Sequence, residues 1–103
     1  MAIKSFKHKG LKKFFYEGTE KGIDSNHAEK LGDILDAIEA SHHPADLKAL
    51  FGVPTFSHKK GAAKGVYSLQ VNGNWRVTFE IEDDGAVLLD YCDYHGKKIT
   101  AKK

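Results

Sequence analysis

A carboxylate, a phenol and an imidazole stand side by side in Asp93-Tyr94-His95, where the last predicted strand ends. Histidine titrates near neutral pH, and neighbouring groups can orient it or tune its basicity, so this tripeptide can move protons. Upstream, Arg76 lies at the start of another predicted strand and can bring a fixed cation to the same place. The elements around these residues must therefore set two strand ends side by side.

Length and composition indicate one small globular domain. The chain has 103 residues, of which 41% are hydrophobic and 11% aromatic, enough for a packed core. We expect a single domain over residues 1–96 and a basic tail over 97–103. The apolar runs are short and no secretory signal is visible, which predicts a cytoplasmic protein with no membrane partner. Cys92 is the single cysteine, which excludes an internal disulfide and a cysteine-based zinc cage, and we expect a small buried side chain.

Lysines are grouped along the chain although the net charge is only +2. Grouped lysines favour a polyanionic partner more than the net charge does, with a merely solvated surface as the alternative for each group. The candidates for RNA contacts are Lys4, Lys7, Lys12 and Lys13 near the start, Lys59 and Lys64 in the middle, and Lys97 and Lys98 in the tail.

The first half of the chain predicts a short strand followed by two helices. Ile3 to Phe6 alternates in polarity, and an apolar helical spacing then ends before Gly18. Asp24 or Ser25 can cap the second helix, whose apolar stripe runs from Ala28 to Ile38. His42-His43-Pro44 ends that helix, and a further helical turn through Leu47 and Leu50 is possible. We expect His8 and His27 to be solvated.

The second half predicts three half-buried strands, because residues 67–71, 75–81 and 87–91 alternate between apolar and polar. A three-residue loop, Asn72-Gly73-Asn74, with a bulge pairs Val71 with Trp75 and Leu69 with Val77. The expected class is α+β, with two N-terminal helices packed on one face of a small antiparallel sheet.

The same register assigns a polar face to the sheet. Arg76 must project opposite Trp75, together with the other polar residues of these strands, and such a face can cradle a nucleic-acid backbone. The alternative is a surface pair between Arg76 and Glu80, and pairs of that kind contribute under about 1 kcal/mol.

Four segments in order resemble a HigB-type toxin of the RelE superfamily of bacterial toxin–antitoxin systems. They are residues 3–11, the His58 to Gly61 segment, residues 74–79 and Asp93-Tyr94-His95. The resemblance implies a β-α-α-β-β-β fold and a ribosome-dependent endoribonuclease that cuts mRNA. It also implies a HigA-type helix-turn-helix antitoxin as partner.

The resemblance also implies roles for individual residues. In RNA cleavage the 2′-hydroxyl attacks the adjacent phosphodiester, which requires a base, an acid and positive charge near the phosphate. His58 and His95 match the family's two catalytic histidines, and either can be the acid or the base. Asp93 would orient His95, Tyr94 would stack on a base or donate a hydrogen bond, and Arg76 with Lys60 would stabilise the developing charge. This chemistry requires no metal or other cofactor.

The segment after His58 departs from the family pattern. Relatives commonly read His-Pro-Leu-Lys-Gly, whereas this chain reads His58-Lys59-Lys60-Gly61, which is one residue shorter. A non-cleaving module of the same fold that binds RNA or the ribosome is therefore the second functional hypothesis. Structural alternatives also stand for the last cluster, since His95 can cap the strand and Asp93 can pair with a following lysine.

Overall fold

The computed structural model describes residues 1–52, 55–58 and 65–93. Three helices and a five-stranded sheet lie within these ranges, and the α+β class is confirmed. No helix in the described ranges is long and apolar enough to cross a membrane. The elements are β1 (Ala2–Ile3), α1 (Lys9–Glu17), a 3-10 turn (Ser25–His27), α2 (Ala28–Ala40), α3 (Pro44–Phe51), β2 (Phe56–His58), β3 (Tyr67–Asn72), β4 (Trp75–Glu82) and β5 (Gly85–Asp93).

The strands are arranged in the order β1-β5-β4-β3-β2. β1 runs parallel to β5, and the other neighbours are antiparallel, so the sheet is not wholly antiparallel as predicted. β1 is shorter than predicted, although Phe6 makes an isolated bridge to Leu89 farther along. β2 was not predicted, because three residues are too few to show an alternating pattern.

The helices begin and end where local chemistry requires. The Nδ1 atom of His8 accepts from the Leu11 N–H at 2.9 Å and caps α1, which ends at Gly18 in the left-handed conformation, with φ 76°. Asp24 caps the 3-10 turn rather than α2, because its Oδ1 accepts from the Asn26 N–H at 2.9 Å. The predicted stripe of α2 is confirmed as core.

α3 is a complete short helix rather than a single turn. The backbone N–H groups of His42 and His43 donate to Asp46 Oδ2 at 3.0 and 3.2 Å, while His43 Nδ1 accepts from the Ala45 N–H. These backbone hydrogen bonds, that of His42 first and then that of His43, hold the pKa of Asp46 below its ordinary value of 3.8. Leu47 is buried, whereas Leu50 is exposed.

The hairpin between β3 and β4 contains the predicted bulge at a different position. Leu69 pairs with Val77 as expected, but Asn72 rather than Val71 pairs with Trp75. The predicted pairing of Val71 was wrong because the turn has only two residues, Gly73 and Asn74, and the extra residue lies inside the strand. Gly73 adopts φ 57°, which the turn requires. The apolar faces of β3 and β4 still coincide.

A second bulge in β5 decides which side chains share the polar face. Thr78 pairs with Asp90, but Glu80 pairs with Val87, so two β5 residues oppose Phe79. Leu88 is the extra residue of this bulge and adopts φ 56°, and its backbone N–H donates to Ser5 Oγ at 2.9 Å. Leu89 and Tyr91 are buried as predicted, whereas Val87 turns to the opposite face, beside Glu80, and is only half-buried.

Candidate functional site

Arg76 is held in place on the polar face of the sheet. Its Nη1 atom donates to Ser68 Oγ at 2.9 Å and to the Thr55 carbonyl at 3.3 Å. Ser68 is fully buried, so this hydroxyl fixes the guanidinium group at the level of the sheet. The placement agrees with the register prediction that Arg76 projects with Ser68 and away from Trp75. A fixed arginine with further N–H donors can bind phosphate oxygens.

Small polar residues form a floor beside Arg76. Ser57, Ser68, Thr78 and Asp90 are consecutive partners across β2, β3, β4 and β5. Ser68 and Thr78 are buried, and Ser57 Oγ is a buried atom with no hydrogen-bond partner within the described ranges. Short side chains on a twisted sheet leave room above them, so a ligand can approach the backbone closely along this row.

A second cation reaches the same face from the N-terminal segment. Lys7 Nζ lies 3.2 Å from Asp90 Oδ2, and the side chains of Lys7 and Asp90 are 33% and 22% exposed. Asp90 pairs with Thr78, two residues along β4 from Arg76. Lys7 therefore lies one row, roughly 7 Å, from the row of Arg76. Asp90 was not among the predicted site residues; its signal in the sequence is a carboxylate between two buried apolar residues.

Cys92 lies between these charges. It pairs with Arg76 and is half-buried rather than buried as predicted. Burial first, and then the Asp90 and Asp93 carboxylates, raise the pKa of the thiol, while Lys7 and Arg76 act in the opposite direction. The thiol is therefore protonated at neutral pH, and Cys92 does not have the low pKa of a cysteine nucleophile.

Two further predicted catalytic residues stand at strand ends, on register positions that do not share the face of Arg76, and the others lie outside the described ranges. Asp93 is the last residue of β5 and is exposed; its backbone pairs with Trp75, one position beyond the pair of Cys92 with Arg76. His58 is the last residue of β2, and its backbone pairs with Tyr67. The predicted residues outside the described ranges are Lys59, Lys60, Lys64, Tyr94, His95, Lys97 and Lys98.

The other predicted RNA-binding lysines within the described ranges are Lys4, Lys12 and Lys13. Lys4 Nζ is 3.2 Å from the Asp83 carbonyl, at the turn after β4, about 20 Å along the strand from Arg76. Lys12 and Lys13 are exposed on α1. With Lys9, Tyr16 and Glu17 they line a surface depression of about 370 Å³. The N-terminal lysines thus lie at the turn after β4, beside Asp90 on the polar face, and on the exposed surface of α1.

His27 is buried, not solvated as predicted. It is 4% exposed, and its Nδ1 atom lies 2.6 Å from the Tyr91 hydroxyl, on the helix side of the sheet. The sequence carried no clear signal for this contact, because Tyr91 is 64 residues away along the chain. His8 is half-buried and caps α1.

The geometry is suited to holding a polyanion against the sheet. Two cations, one rigidly bonded and one paired with a carboxylate, flank a floor of hydroxyl groups. Within residues 1–52, 55–58 and 65–93, no group of three or more histidine, cysteine or acidic side chains is arranged to hold a metal ion.

Comparison with known proteins identifies the family. A sequence-family profile described as the RelE-like toxin HigB of type II toxin–antitoxin systems matches residues 4–95. The chain is 37% identical over 93 residues to Endoribonuclease HigB of Proteus vulgaris, an alignment that covers 90% of this chain and 99% of that protein. In a solved YoeB–YefM complex from Staphylococcus aureus, one chain has a similar fold, with a TM-score of 0.52 at 17% identity, covering 89% of this chain and 99% of that one. The chain therefore belongs to the HigB family of RelE-like toxins of type II toxin–antitoxin systems.

Proposed function

We propose that this protein is a ribosome-dependent endoribonuclease that cleaves mRNA and thereby inhibits translation. The observation that carries the proposal is the guanidinium of Arg76, anchored to Ser68 and Thr55 beside a second cation, Lys7. The similarity to Endoribonuclease HigB over nearly its full length supports the same activity.

Arg76 is suited to stabilising the negative charge that develops during phosphodiester cleavage. When the 2′-hydroxyl attacks, charge builds on the non-bridging phosphate oxygens, and a preorganised donor stabilises it without further rearrangement. Two acceptors already orient the guanidinium, while its other N–H groups have no partner among the described residues. Lys7 is paired with Asp90, one row of the polar face, or roughly 7 Å, from the row of Arg76. It is therefore placed to contact a neighbouring phosphate of the same RNA strand.

Proton transfer is assigned to the two histidines that match the family pattern. We propose that His58 and His95 act as the acid and base, that Asp93 orients His95, and that Tyr94 contacts a base or donates a hydrogen bond. Lys60 would add positive charge near the phosphate. The remaining predicted lysines would contact RNA outside the cleavage site; they are Lys4, Lys12, Lys13, Lys59, Lys64, Lys97 and Lys98.

The proposed partners follow from the family. A type II system pairs a toxin with a protein antitoxin, and the similar fold from Staphylococcus aureus was solved as a complex. We propose a HigA-type helix-turn-helix antitoxin as the partner of this chain, with the ribosome and mRNA as its targets in the cytoplasm. We also retain the expectation of one toxin domain over residues 1–96 with a basic tail over 97–103.

A second function is favoured by the sequence after His58. The segment His58-Lys59-Lys60-Gly61 is one residue shorter than the pattern common in relatives, so the histidine or lysine can be aimed differently. A chain with Arg76 and Lys7 in place but without a correctly placed acid or base would bind RNA or the ribosome without cutting.

Mapping RNA 5′ ends after brief expression separates these two functions. The wild type should create new 5′ ends within translated mRNA, whereas folded His95→Ala and Arg76→Ala variants should not. Lys48→Ala, which removes an exposed lysine on α3, is the control and should cleave like the wild type. Ribosome binding by the wild type without new ends would establish the non-cleaving alternative. Undiminished cleavage by His95→Ala would contradict the assigned role of His95.

A further inference from the structure

His27 and Tyr91 form a directed hydrogen bond inside the protein. The Tyr91 oxygen accepts from the Asp24 N–H at 3.4 Å and lies 2.6 Å from His27 Nδ1, and we assign the phenolic hydrogen to this second contact, with Nδ1 as its acceptor. The other ring nitrogen, Nε2, is 3.9 Å from an Asp24 carboxylate oxygen. Burial raises the pKa of Tyr91, so the phenol keeps the proton that it donates.

Trp75 packs against both members of this pair. The centre of its ring lies 4.6 Å from that of Tyr91 and 5.6 Å from that of His27, and the centre of the His8 ring lies 5.3 Å from that of Tyr91. Aromatic pairs at these distances contribute about 0.5–1.5 kcal/mol each beyond the area they bury. The hydrogen bond from Tyr91 to His27 therefore sets the orientation of a small buried stack.

This stack lies on the helix side of the two strand segments that carry the candidate site. Trp75 directly precedes Arg76 in β4, and its backbone pairs with Asp93. Tyr91 directly precedes Cys92 in β5, and Cys92 pairs with Arg76. Successive side chains in a strand point to opposite faces, so an anchored Trp75 and Tyr91 determine where Arg76 and Cys92 lie on the other side.

We infer that His27 is a positioning residue for RNA cleavage: through Tyr91 and Trp75 it fixes the paired strand segments that carry Arg76 and Asp93. The inference rests on the proposed endoribonuclease function. A displacement of about 1 Å in a reacting group can lower a rate roughly 100-fold, which is why a contact on the far side of the sheet affects the reaction. His27 does not touch RNA in this arrangement.

Two substitutions at His27 distinguish positioning from general stabilisation. His27→Leu removes the acceptor for the Tyr91 hydroxyl, whereas His27→Asn keeps an acceptor near the position of Nδ1. The control is Ser41→Ala at another buried polar residue, which removes the hydrogen bond from Ser41 Oγ to the Ala37 carbonyl at 2.7 Å. Ser41 lies at the opposite end of α2 from His27, about 20 Å away.

Ribosome-bound mRNA cleavage is measured at saturating and limiting ribosome concentrations, together with the emission of Trp75, the single tryptophan. We expect His27→Leu to lower the maximum cleavage rate about 10- to 100-fold, with an unchanged half-saturating ribosome concentration and altered Trp75 emission. His27→Asn should recover the rate to within about threefold, and Ser41→Ala should cleave like the wild type despite its own loss of stability.

The measured rates distinguish failure of the positioning role of His27 from failure of the proposed endoribonuclease function. A wild type that cleaves, beside a His27→Leu variant of equal rate, overturns the positioning role and leaves the proposed function intact. Loss of rate in Ser41→Ala to the same extent, no recovery in His27→Asn, or a change confined to the half-saturating concentration also overturns it. A wild type that binds ribosomes without cleaving mRNA overturns the proposed function and, with it, this inference.

Discussion

Replacing Arg76 by alanine should affect stability and cleavage by separable amounts. The substitution removes the hydrogen bonds to Ser68 Oγ at 2.9 Å and to the Thr55 carbonyl at 3.3 Å. Because Ser68 is fully buried, its hydroxyl loses a partner that water cannot easily replace. An orphaned buried hydroxyl costs about 1–3 kcal/mol, and we expect the free energy of unfolding to fall by that amount.

The effect on cleavage should be larger than the effect on stability. Removing one preorganised donor from the site where charge develops typically costs about 100- to 1,000-fold in rate, or about 3–4 kcal/mol of transition-state stabilisation. The comparison variant is Arg76→Ala with Ser68→Ala, in which the orphaned hydroxyl is removed as well. This double variant should regain part of the lost stability while its cleavage stays as low as that of Arg76→Ala.

Urea unfolding gives the stability of each variant, and primer extension on ribosome-bound mRNA gives the cleavage rate. Ser68→Ala alone keeps the guanidinium and should lose less than about 10-fold in rate. Folded Arg76→Ala that cleaves within about threefold of the wild type would contradict this role of Arg76, because loss of a charge-stabilising donor should cost far more. Recovery of cleavage together with stability in the double variant would also contradict it, since the loss would then have come from the fold.

Three further predictions test other parts of the molecule. Lys12→Ala on α1 should reduce the slope of log affinity against log salt by roughly 0.7 for single-stranded RNA, and an unchanged slope would mean that this helix face does not contact RNA. Gly10→Ala should lower the free energy of unfolding by about 1–3 kcal/mol, because a Cβ atom there would lie 2.3 Å from the Gly22 carbonyl oxygen. Gly32→Ala is the matched control inside α2, because nothing lies within 4 Å of its added Cβ atom. Denaturant unfolding should show that its free energy of unfolding rises by about 0.5–1 kcal/mol, since alanine favours a helix more than glycine does. Asp46 has a lowered pKa in the folded state, so its contribution to stability is complete above its ordinary value of 3.8 and is lost as the pH falls through the folded-state pKa. Asp46→Asn should therefore show a smaller acid-side decline in Tm than the wild type, and equal declines would contradict the assignment.

The residue pattern predicted the elements whose structure depends on near neighbours. The apolar stripe of α2 and the alternation in β3 and β4 were sufficient for the α+β class, because side-chain periodicity of 3.6 or 2 residues reports which face is buried. The bulge in the β3–β4 hairpin was predicted in kind but not in position. Both positions keep the apolar faces together, so the pattern alone did not distinguish them.

Contacts between distant residues were not predictable in the same way. The bulge at Leu88, which turns Val87 away from the helices, depends on Ser5, a residue 83 positions earlier in the chain. The expected solvated state of His27 was wrong because its partner, Tyr91, is brought to it only when α2 packs on the sheet. No local pattern records such a pairing.

The chemical groups available to this protein could be read from its residues: a single arginine at the start of a strand, the Asp93-Tyr94-His95 cluster and the ordered segments typical of HigB toxins. Which groups lie together became visible only in the folded chain, namely Arg76 with Ser68, Lys7 with Asp90 and His27 with Trp75. Residue type sets what a side chain can donate, accept or neutralise. Its neighbours depend instead on strand order, register and bulges, which result from packing the whole chain.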